Sequence, residues 1–282
     1  MTEEFLGEYF GMERCVNQYR MGVNVDPRLV TAHIQHNLRL GFQQVMTQEP
    51  RADGQRICLL GGGPSLKDSE EEIRELYFKG YKLITMNGTY NWCIERNMKP
   101  SAFVMLDARP WNKHFAGIPV PGCKYFLASQ VHPEVAKLYL ERDTFIIHCT
   151  QDASQVKILD EFYQGNFLLV TGGSTVMLRT IWLMRMLGYE FMEVFGFDSC
   201  YMNGEHHAYK QELNQDEETQ KIHCAQREFQ CAHWQVSQAE DFMSFIKAHG
   251  HKFFLNVHGD GLIAHMIKKA AQFYVEDSEN GS

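Results

Sequence analysis

The chain has 282 residues and is 44% hydrophobic, which is enough apolar material for the core of one large domain or two small ones. Its formal net charge of −8 excludes a broad basic surface that coats nucleic acid non-specifically, although a specific nucleic-acid acceptor is not excluded. No run approaches the length of about 18 apolar residues that a membrane-spanning helix requires, so no membrane span is predicted.

Residues 1–50 are the first predicted segment, and they are mostly helical. The stretch DPRLVTAHIQHNLRLGFQQVM has an Asp at the cap position, Pro27 in the first turn and spaced apolar residues. The polar stretch QEPRADGQ, residues 48–55, is the only clear boundary signal. We therefore predict a helical amino-terminal segment over 1–50, one domain over 51–275 and a disordered tail over 276–282.

From residue 56 onward, short apolar strands alternate with helices. The predicted strands are ICLLG, KLITMN, AFVML, KYFLAS, FIIHC, NFLLV, FMEVFGF and HKFFLNV. The predicted helices cover residues 69–79, 89–97, 133–142, 174–187, 234–250 and 261–274. This alternation indicates an α/β domain with a mostly parallel sheet and helices on both faces. In such a sheet, ligands bind where loops leave the carboxyl ends of the strands.

The first loop of this kind reads GGGPSL. The three glycines at 61–63 can adopt positive φ and let backbone N–H groups approach an anion, together with the Ser65 hydroxyl. Pro64 and Ser65 stand where a Walker A loop needs Lys-Ser or Lys-Thr, and Leu66 replaces the third glycine of a dinucleotide fingerprint. We expect an anion site that is neither of these, with a ligand-free turn as the alternative.

A second glycine loop occurs in LLVTGGSTVMLRTIWLMRMLG. Gly172 and Gly173 follow a predicted strand, Ser174 is the predicted helix cap, and the helix is apolar nearly all round. A buried helix with this start presents free N–H groups to whatever lies over the sheet edge. A satisfied cap on a core helix is the alternative. Two such loops in one sheet predict a nucleotide that contacts both.

The densest polar cluster is GFDSCYMNGEHHAYKQELN. Asp198 leaves a strand end, and His206, His207 and Tyr209 follow in a loop rich in turn residues. A His of near-neutral pKa suits proton removal from an acceptor, and a neighbouring Asp would fix its tautomer. A charged His or a Tyr would instead stabilise a departing diphosphate. A solvated polar loop is the alternative without a function.

The positions of the Cys, His and Asp residues bear on metal binding and on the cellular compartment of the protein. The eight cysteines are scattered, and Cys224 and Cys231 are too widely spaced for a zinc knuckle, so no metal ligand is assigned. A divalent cation such as Mg²⁺, bridging Asp107 or Asp198 to a diphosphate, is left open. Scattered cysteines in apolar runs, and a first segment (MTEEFLGEYF) without the apolar stretch of a secretory signal, predict a cytoplasmic protein with reduced thiols.

Three stretches resemble the MptE-like family in order and spacing over about residues 56–265. These are GGGPSL, MNGTYNWCIERNMKPSAFVMLDAR and GGSTVMLRTIWLMRMLGYEFMEVFGFDSCYMNGEHHAY. The family is named after an archaeal 6-hydroxymethylpterin diphosphokinase and includes motility-associated flagellin glycosyltransferase-like proteins. The chain is also distantly similar to the bacterial sialyltransferases of glycosyltransferase family 42. The resemblance implies a Rossmann-like domain that binds a nucleotide or a nucleotide-sugar.

The resemblance also implies roles for individual residues. Positions that hold the nucleotide in the sialyltransferases match Gly63, Pro64, Ser65, Asn87, Gly173 and Ser174. Asp107 stands where those enzymes have an Asn, which is a departure from their donor site. Tyr201 matches one of two tyrosines that steady the departing phosphate, and the second position falls near His207. His233 lies near the position of their proposed base.

We therefore predict a transferase with a nucleotide-activated donor, preferably a nucleotide-sugar-dependent glycosyltransferase. The alternatives are an ATP-dependent diphosphokinase acting on a small hydroxymethyl compound and a non-catalytic nucleotide-binding module. The candidate catalytic residues are Asp198, His207 and His233. The predicted ligand-binding residues are Gly62, Gly63, Pro64, Ser65, Asn87, Asp107, Gly173, Ser174, Thr175 and Tyr201. The acceptor is left open between a glycan, a protein, a small heterocycle and a modified nucleobase, and so is the oligomeric state.

Overall fold

A computed structural model describes residues 25–48, 54–210 and 217–270, and one sheet of eight strands is its central feature. The strands are β1 (Gln43–Gln44), β2 (Arg56–Leu60), β3 (Lys82–Met86), β4 (Ala102–Met105), β5 (Lys124–Ala128), β6 (Thr144–Ile147), β7 (Phe191–Phe195) and β10 (Phe254–Val257). Their spatial order is β1-β6-β5-β4-β3-β2-β7-β10, and every neighbouring pair is parallel. The predicted α/β sheet is confirmed.

Helices connect these strands and cover both faces of the sheet. They are α1 (Pro27–Asn37), α2 (Glu70–Phe78), α3 (Thr89–Glu95), α4 (Pro133–Lys137), α5 (Ala153–Tyr163), α6 (Val176–Met186), α7 (His233–His249) and α8, which covers residues 262–270. The first of them begins as its sequence predicts, because Asp26 accepts a hydrogen bond from the Arg28 amide at 2.8 Å and Pro27 is the first helical residue.

Strand β2 shows how the sheet is buried from both sides. Ile57 and Leu59 join the apolar cluster that contains α6 and α7 residues, whereas Cys58 and Leu60 join a second cluster with Ile73 of α2. Successive side chains of a strand point to opposite faces, so a continuous apolar run requires cover on both. The run RICLL therefore lies in the middle layer of a three-layer structure.

Several elements differ from the sequence-based expectations, including strand β1, which lies in the predicted helical segment. The predicted strand NFLLV is wrong, because only Leu169 forms an isolated bridge, to His148, and the free side of β6 is paired with β1. Helix α5 was not predicted. Nor was the antiparallel hairpin of β8 (Thr219–Cys224) and β9 (Arg227–Ala232), whose two-residue turn is Ala225-Gln226 rather than a recognisable Asn-Gly.

The strand order creates a switch point between β2 and β7. The chain runs from β2 through β3, β4, β5 and β6 to one side, and β7 and β10 then lie on the other side of β2. Loops leaving β2 and β7 therefore diverge in direction at the same sheet edge. In open parallel sheets, ligands bind in the crevice at such a point.

Several predictions concern residues outside the described part of the chain. Residues 1–24 of the predicted helical segment, 49–53 of the predicted linker and the predicted tail over 276–282 belong to this group, and the domain boundaries stay predictions. The seven cysteines in the described ranges are buried, and none of them forms a disulfide bond with another. Within those same ranges, no helix combines the length and apolar character needed to cross a bilayer.

Candidate functional site

A cavity of about 960 Å³ lies at the carboxyl edge of the sheet. Its wall contains residues from the loops after β2, β3, β4, β6 and β7 and from α6 and α7. The predicted site residues in this wall are Gly62, Gly63, Pro64, Asn87, Asp107, Gly173, Ser174, Thr175, Asp198 and His207. Ser65, Tyr201 and His233 lie outside it. The structure therefore brings both glycine loops to one cavity, which has a volume common for small-molecule sites.

The first glycine loop is held against the loop that follows β7. The Gly61 amide donates to the Phe195 carbonyl at 2.8 Å, and the Gly63 amide donates to the Gly196 carbonyl at 2.9 Å. A Cβ atom on Gly61 would lie 2.5 Å from the Gly196 oxygen, so a side chain is excluded. Glycines 61–63 do not adopt the positive φ expected from the sequence. Close backbone approach, and not left-handed conformation, explains these glycines.

Asp198 fastens the same two loops together. It is only 2% exposed, and its Oδ2 accepts a hydrogen bond from the Ser65 amide at 2.9 Å. Burial raises the pKa of the Asp198 carboxyl, and the bonds from Ser65 oppose that rise. No hydrogen bond between Asp198 and His207 is found among the described residues, since Asp198 Oδ1 and His207 Nδ1 both lack a partner. The catalytic roles expected of the two residues stay predictions.

The loop after β7 folds back over the first glycine loop. The Ala208 amide donates to the Gly62 carbonyl at 2.9 Å. The Tyr209 ring lies against both Gly62 and Gly88, since a Cβ on Gly88 would approach that ring to 2.4 Å. This contact closes one side of the cavity with residues 206–209.

His207 belongs to that loop and is partly buried, and its chemistry differs from the sequence-based expectation. Desolvation, with a smaller contribution from the neighbouring His206, lowers the pKa of His207 to about 3. The imidazole is therefore neutral at neutral pH, with one donor and one acceptor nitrogen. This low pKa differs from the near-neutral pKa that the sequence-based role of general base assumes.

Several polar atoms near these loops lack hydrogen-bond partners in the part of the chain that the structure describes. They include the buried side-chain atoms Asn87 Oδ1, Tyr201 Oη, His206 Nε2 and His207 Nδ1. Native proteins leave few buried polar atoms unsatisfied, because each costs about 1–3 kcal/mol. Of these residues, Asn87, His206 and His207 line the cavity, so their unsatisfied atoms are available to a ligand there.

Asp107 is engaged by its neighbour Arg109. The Arg109 Nε donates to both carboxylate oxygens, at 3.1 and 2.8 Å, and Nη2 makes a further contact with Oδ2. The carboxylates of Asp107 and Asp198, considered for Mg²⁺ from the sequence, are thus each bonded to a protein donor. Over the described ranges, no three His, Cys, Asp or Glu side chains are grouped to hold a metal ion. Asp198 Oδ1 has no hydrogen-bond partner among the described residues, and a cation that bridges Asp107 or Asp198 to a diphosphate stays a prediction.

The second glycine loop uses the conformational freedom of glycine. Gly172 and Gly173 have φ of 117° and 115°, and a Cβ on Gly172 would lie 2.7 Å from the Leu178 oxygen. Arg179 of α6 donates from Nε to the Gly173 carbonyl at 2.6 Å and from Nη1 to the Val170 carbonyl. The sequence reasoning missed Arg179. Its signal was a basic residue near the start of a mostly apolar helix.

The residues after these glycines are bonded to α7. Both the Ser174 amide and its hydroxyl donate to Asp241 Oδ2, at 2.9 and 2.6 Å. Thr175, and not the predicted Ser174, is the N-cap of α6, and its hydroxyl accepts from Gln238 instead of capping the helix. The first N–H groups of α6 are therefore left without side-chain caps where Val176 lines the cavity.

His233 and Tyr201 occupy positions beside the cavity. His233 is the first residue of α7, and its Nδ1 lies 3.2 Å from Gln220 Nε2. The next residue, Trp234, is in the wall and donates to Glu217 at 2.5 Å. Tyr201 forms a bridge to β9, and its ring centroid lies 5.2 Å from that of His206. Their proposed roles stay predictions.

The fold and this site define the protein as a Rossmann-like α/β protein with a cavity at the switch point of its sheet. Residues 30–204 match the family model described as 6-hydroxymethylpterin diphosphokinase MptE-like. The chain belongs to the MptE-like family, as the motifs predict. No curated protein matches the sequence significantly.

Two solved structures are similar to this chain, and the first of them shows the same fold. The MAf glycosyltransferase from Magnetospirillum magneticum AMB-1 matches with a TM-score of 0.60 and 10% identity, covering 89% of this chain and 43% of that one. This chain therefore spans less than half the length of that enzyme. A mammalian sialyltransferase, in complex with Gal-beta-1-3GalNAc-ortho-nitrophenol, matches with a TM-score of 0.41 and 9% identity, covering 92% of this chain and 86% of that one.

Proposed function

We propose that the protein is a transferase that uses a nucleotide-activated donor, with a nucleotide-sugar as the donor. One observation carries this proposal: two glycine loops from different parts of the chain wall a single cavity of about 960 Å³ at the switch point of the sheet. This position is the one where parallel sheets bind nucleotides. The Rossmann-like fold shared with a MAf glycosyltransferase supports the preference for a sugar donor.

The unpartnered polar atoms suggest how the donor is held. Asn87 Oδ1 would accept a hydrogen bond from the nucleoside, and the Gly62 amide, which has no partner within the described residues, would donate one. The protonated nitrogen of neutral His207 would donate to an oxygen of the departing phosphate. An anionic group beside His207 also raises its pKa, so the imidazole would become a better proton acceptor once the donor is bound.

Asp198 has a positioning role in this proposal. Its Oδ2 accepts a hydrogen bond from the Ser65 amide, and the residue lies in the cavity wall although it is only 2% exposed. Its contribution is to keep the loop after β2 in register with the loop after β7.

Diphosphoryl transfer from ATP to a small hydroxymethyl compound is the second candidate. The description of the matching family as 6-hydroxymethylpterin diphosphokinase MptE-like favours it. Both reactions need a cavity that accepts a nucleotide with at least two phosphates or a phosphate and a sugar. The identity of the nucleotide that binds is therefore the distinguishing measurement.

The test uses thermal unfolding with ATP and with CMP-, UDP- and GDP-linked sugars. A ligand at about 100 times its Kd stabilises the native state by about 2.7 kcal/mol, which gives a clear rise in Tm. A rise with a nucleotide-sugar supports the proposal, and a rise with ATP alone favours the diphosphokinase. The absence of any rise overturns both.

Turnover then separates an enzyme from a binding module. Donor hydrolysis by His207→Asn is expected to fall at least about tenfold, because a hydrogen bond to the leaving group is lost. His223→Asn, on the exposed hairpin, is the matched control. Nucleotide binding without turnover by the wild type would identify a non-catalytic module, and equal turnover by His207→Asn would remove His207 from the mechanism.

A further inference from the structure

A buried cation lines the cavity without a counter-ion. Arg179 is 9% exposed, and no carboxylate of the described ranges forms an ion pair with it. The other basic residue of the wall, Arg109, is neutralised by Asp107. A charge taken out of water is costly unless an opposite charge compensates it. The uncompensated guanidinium therefore points to an anion that the ligand supplies.

The orientation of Arg179 leaves one nitrogen available. Nε and Nη1 donate to the carbonyls of Gly173 and Val170, while Nη2 has no partner within the described residues. The side chain belongs to the 11-residue helix α6, whose first N–H groups lack a side-chain cap because the Thr175 hydroxyl is bonded to Gln238. Free helix N–H groups and a guanidinium nitrogen together form an anion-binding arrangement.

The first glycine loop is poorly suited to the same task. The amides of Gly61, Gly63 and Ser65 already donate to protein oxygens, and Pro64 has no N–H group. Gly62 alone keeps an unbonded amide among the residues from 61 to 65. A diphosphate needs several donors, so this loop cannot be its main holder.

We infer that the diphosphate of the ligand binds at the start of α6, against Arg179 Nη2. The first glycine loop then serves to join the β2 and β7 halves of the sheet. This inference rests on the proposed function and specifies where the charge of the donor is recognised. Asp241 limits the affinity, because its carboxylate bonds to the Ser174 amide and repels a second anion there.

The test measures the affinity of inorganic pyrophosphate by calorimetry. Arg179→Met is expected to weaken binding at least about tenfold, because a charge-assisted hydrogen bond is lost in a buried setting. Arg185→Met is the matched control: Arg185 lies on the same helix outside the cavity wall, 3.6 Å from Glu190, and should bind as the wild type does. Asp241→Asn keeps an acceptor for Ser174 but removes the charge, so it should bind pyrophosphate more tightly than the wild type.

The outcomes separate this inference from the proposed function. Nucleotide and pyrophosphate binding that is equal in Arg179→Met and the wild type overturns the inference and leaves the proposed function standing. A wild type that binds neither pyrophosphate nor any nucleotide overturns both. Should Arg179→Met fail to fold, Asp241→Asn decides: tighter pyrophosphate binding supports the inference, and unchanged or weaker binding contradicts it.

Discussion

At the scale of single residues, the two glycine loops look alike in sequence and differ in physical cause. Gly172 and Gly173 need left-handed backbone, with φ near 115°. Gly61 has an ordinary φ but faces the backbone of Gly196, whose own φ is 62°. Glycine is therefore needed in the first loop because neighbouring backbones pack closely, and in the second loop because the backbone is left-handed.

Replacing Gly61 with Ala should destabilise the protein by about 2–3 kcal/mol, because the added methyl would overlap the Gly196 carbonyl at 2.5 Å. Urea unfolding measures the change. Gly122→Ala is the control, since Gly122 has φ of 80° with no atom within 4 Å of an added Cβ, and should cost only about 1 kcal/mol. Equal losses in the two variants would contradict the steric explanation.

His207 should make the stability of the protein fall in mild acid. Its pKa is about 3 when folded and about 6.5 when unfolded, so the unfolded state binds more protons between these values. The contribution of His207 to the free energy of unfolding is therefore fully present above pH 6.5. It decreases as the pH falls toward 3, by at most about 1.4 kcal/mol per pH unit. His148, with a pKa of about 4, contributes in the same range.

The measurement is urea unfolding as a function of pH for the wild type and His207→Asn. The variant should lose part of this pH dependence, and His223→Asn should keep all of it. Parallel curves for wild type and His207→Asn would show that His207 does not titrate as its burial indicates.

At the scale of elements, the hairpin of β8 and β9 is the structure with the weakest signal in the amino-acid sequence. Its turn residues Ala225 and Gln226 have φ of 43° and 66°, values that favour Asn and Gly. The chain contains a turn of the expected kind at Asn203-Gly204, with φ of 53° and 78°. Burial of residues such as Ile222 supplies the stability that the turn lacks.

Changing Ala225→Asn together with Gln226→Gly should stabilise the protein by about 1 kcal/mol, because both residues then tolerate positive φ. The reverse change, Asn203→Ala with Gly204→Gln, should destabilise it by a similar amount. The midpoint of urea unfolding reports both. A loss of stability in the first double variant would mean that side-chain contacts of Ala225 or Gln226 outweigh the backbone preference.

At the scale of the whole molecule, charge decides the kind of partner. The chain carries a net charge of −8, and the cavity wall contains two arginines, at 109 and 179. The acidic residues of the wall are Asp107, Asp152, Asp198, Glu217, Glu240 and Asp241. A small ligand can use the local positive site at α6, whereas a long polyanion meets repulsion over the rest of the surface.

A labelled random duplex of about 20 base pairs should therefore show no measurable binding at about 0.15 M salt. Fluorescence anisotropy is the measurement, and inorganic pyrophosphate binding on the same preparation is the control for a folded cavity. Salt-sensitive binding of the duplex in the micromolar range would show that the local charge pattern, and not the net charge, governs association with nucleic acid.

The amino-acid sequence by itself determined the parallel α/β sheet and the family. Continuous apolar strands such as RICLL and intervening helices depend on local composition and periodicity, which are readable without knowing the neighbours. The carboxyl-end position of the first glycine loop followed from the same pattern, whereas the second loop follows only the isolated bridge at Leu169. Strand β1 is short and polar and has no such local signal in the sequence. Nor does the sequence show that the free edge of β6 is occupied by β1.

The tertiary structure alone decided which groups near the cavity are free and which are used. The amides of Gly63 and Ser65 are satisfied by groups on the loop after β7, and Arg179 is left with an unpartnered nitrogen, because of what packs opposite each of them. The same holds for the low pKa of His207, which depends on its burial. Hydrogen-bond partners and desolvation are properties of spatial neighbours far apart in the chain, so no local pattern encodes them.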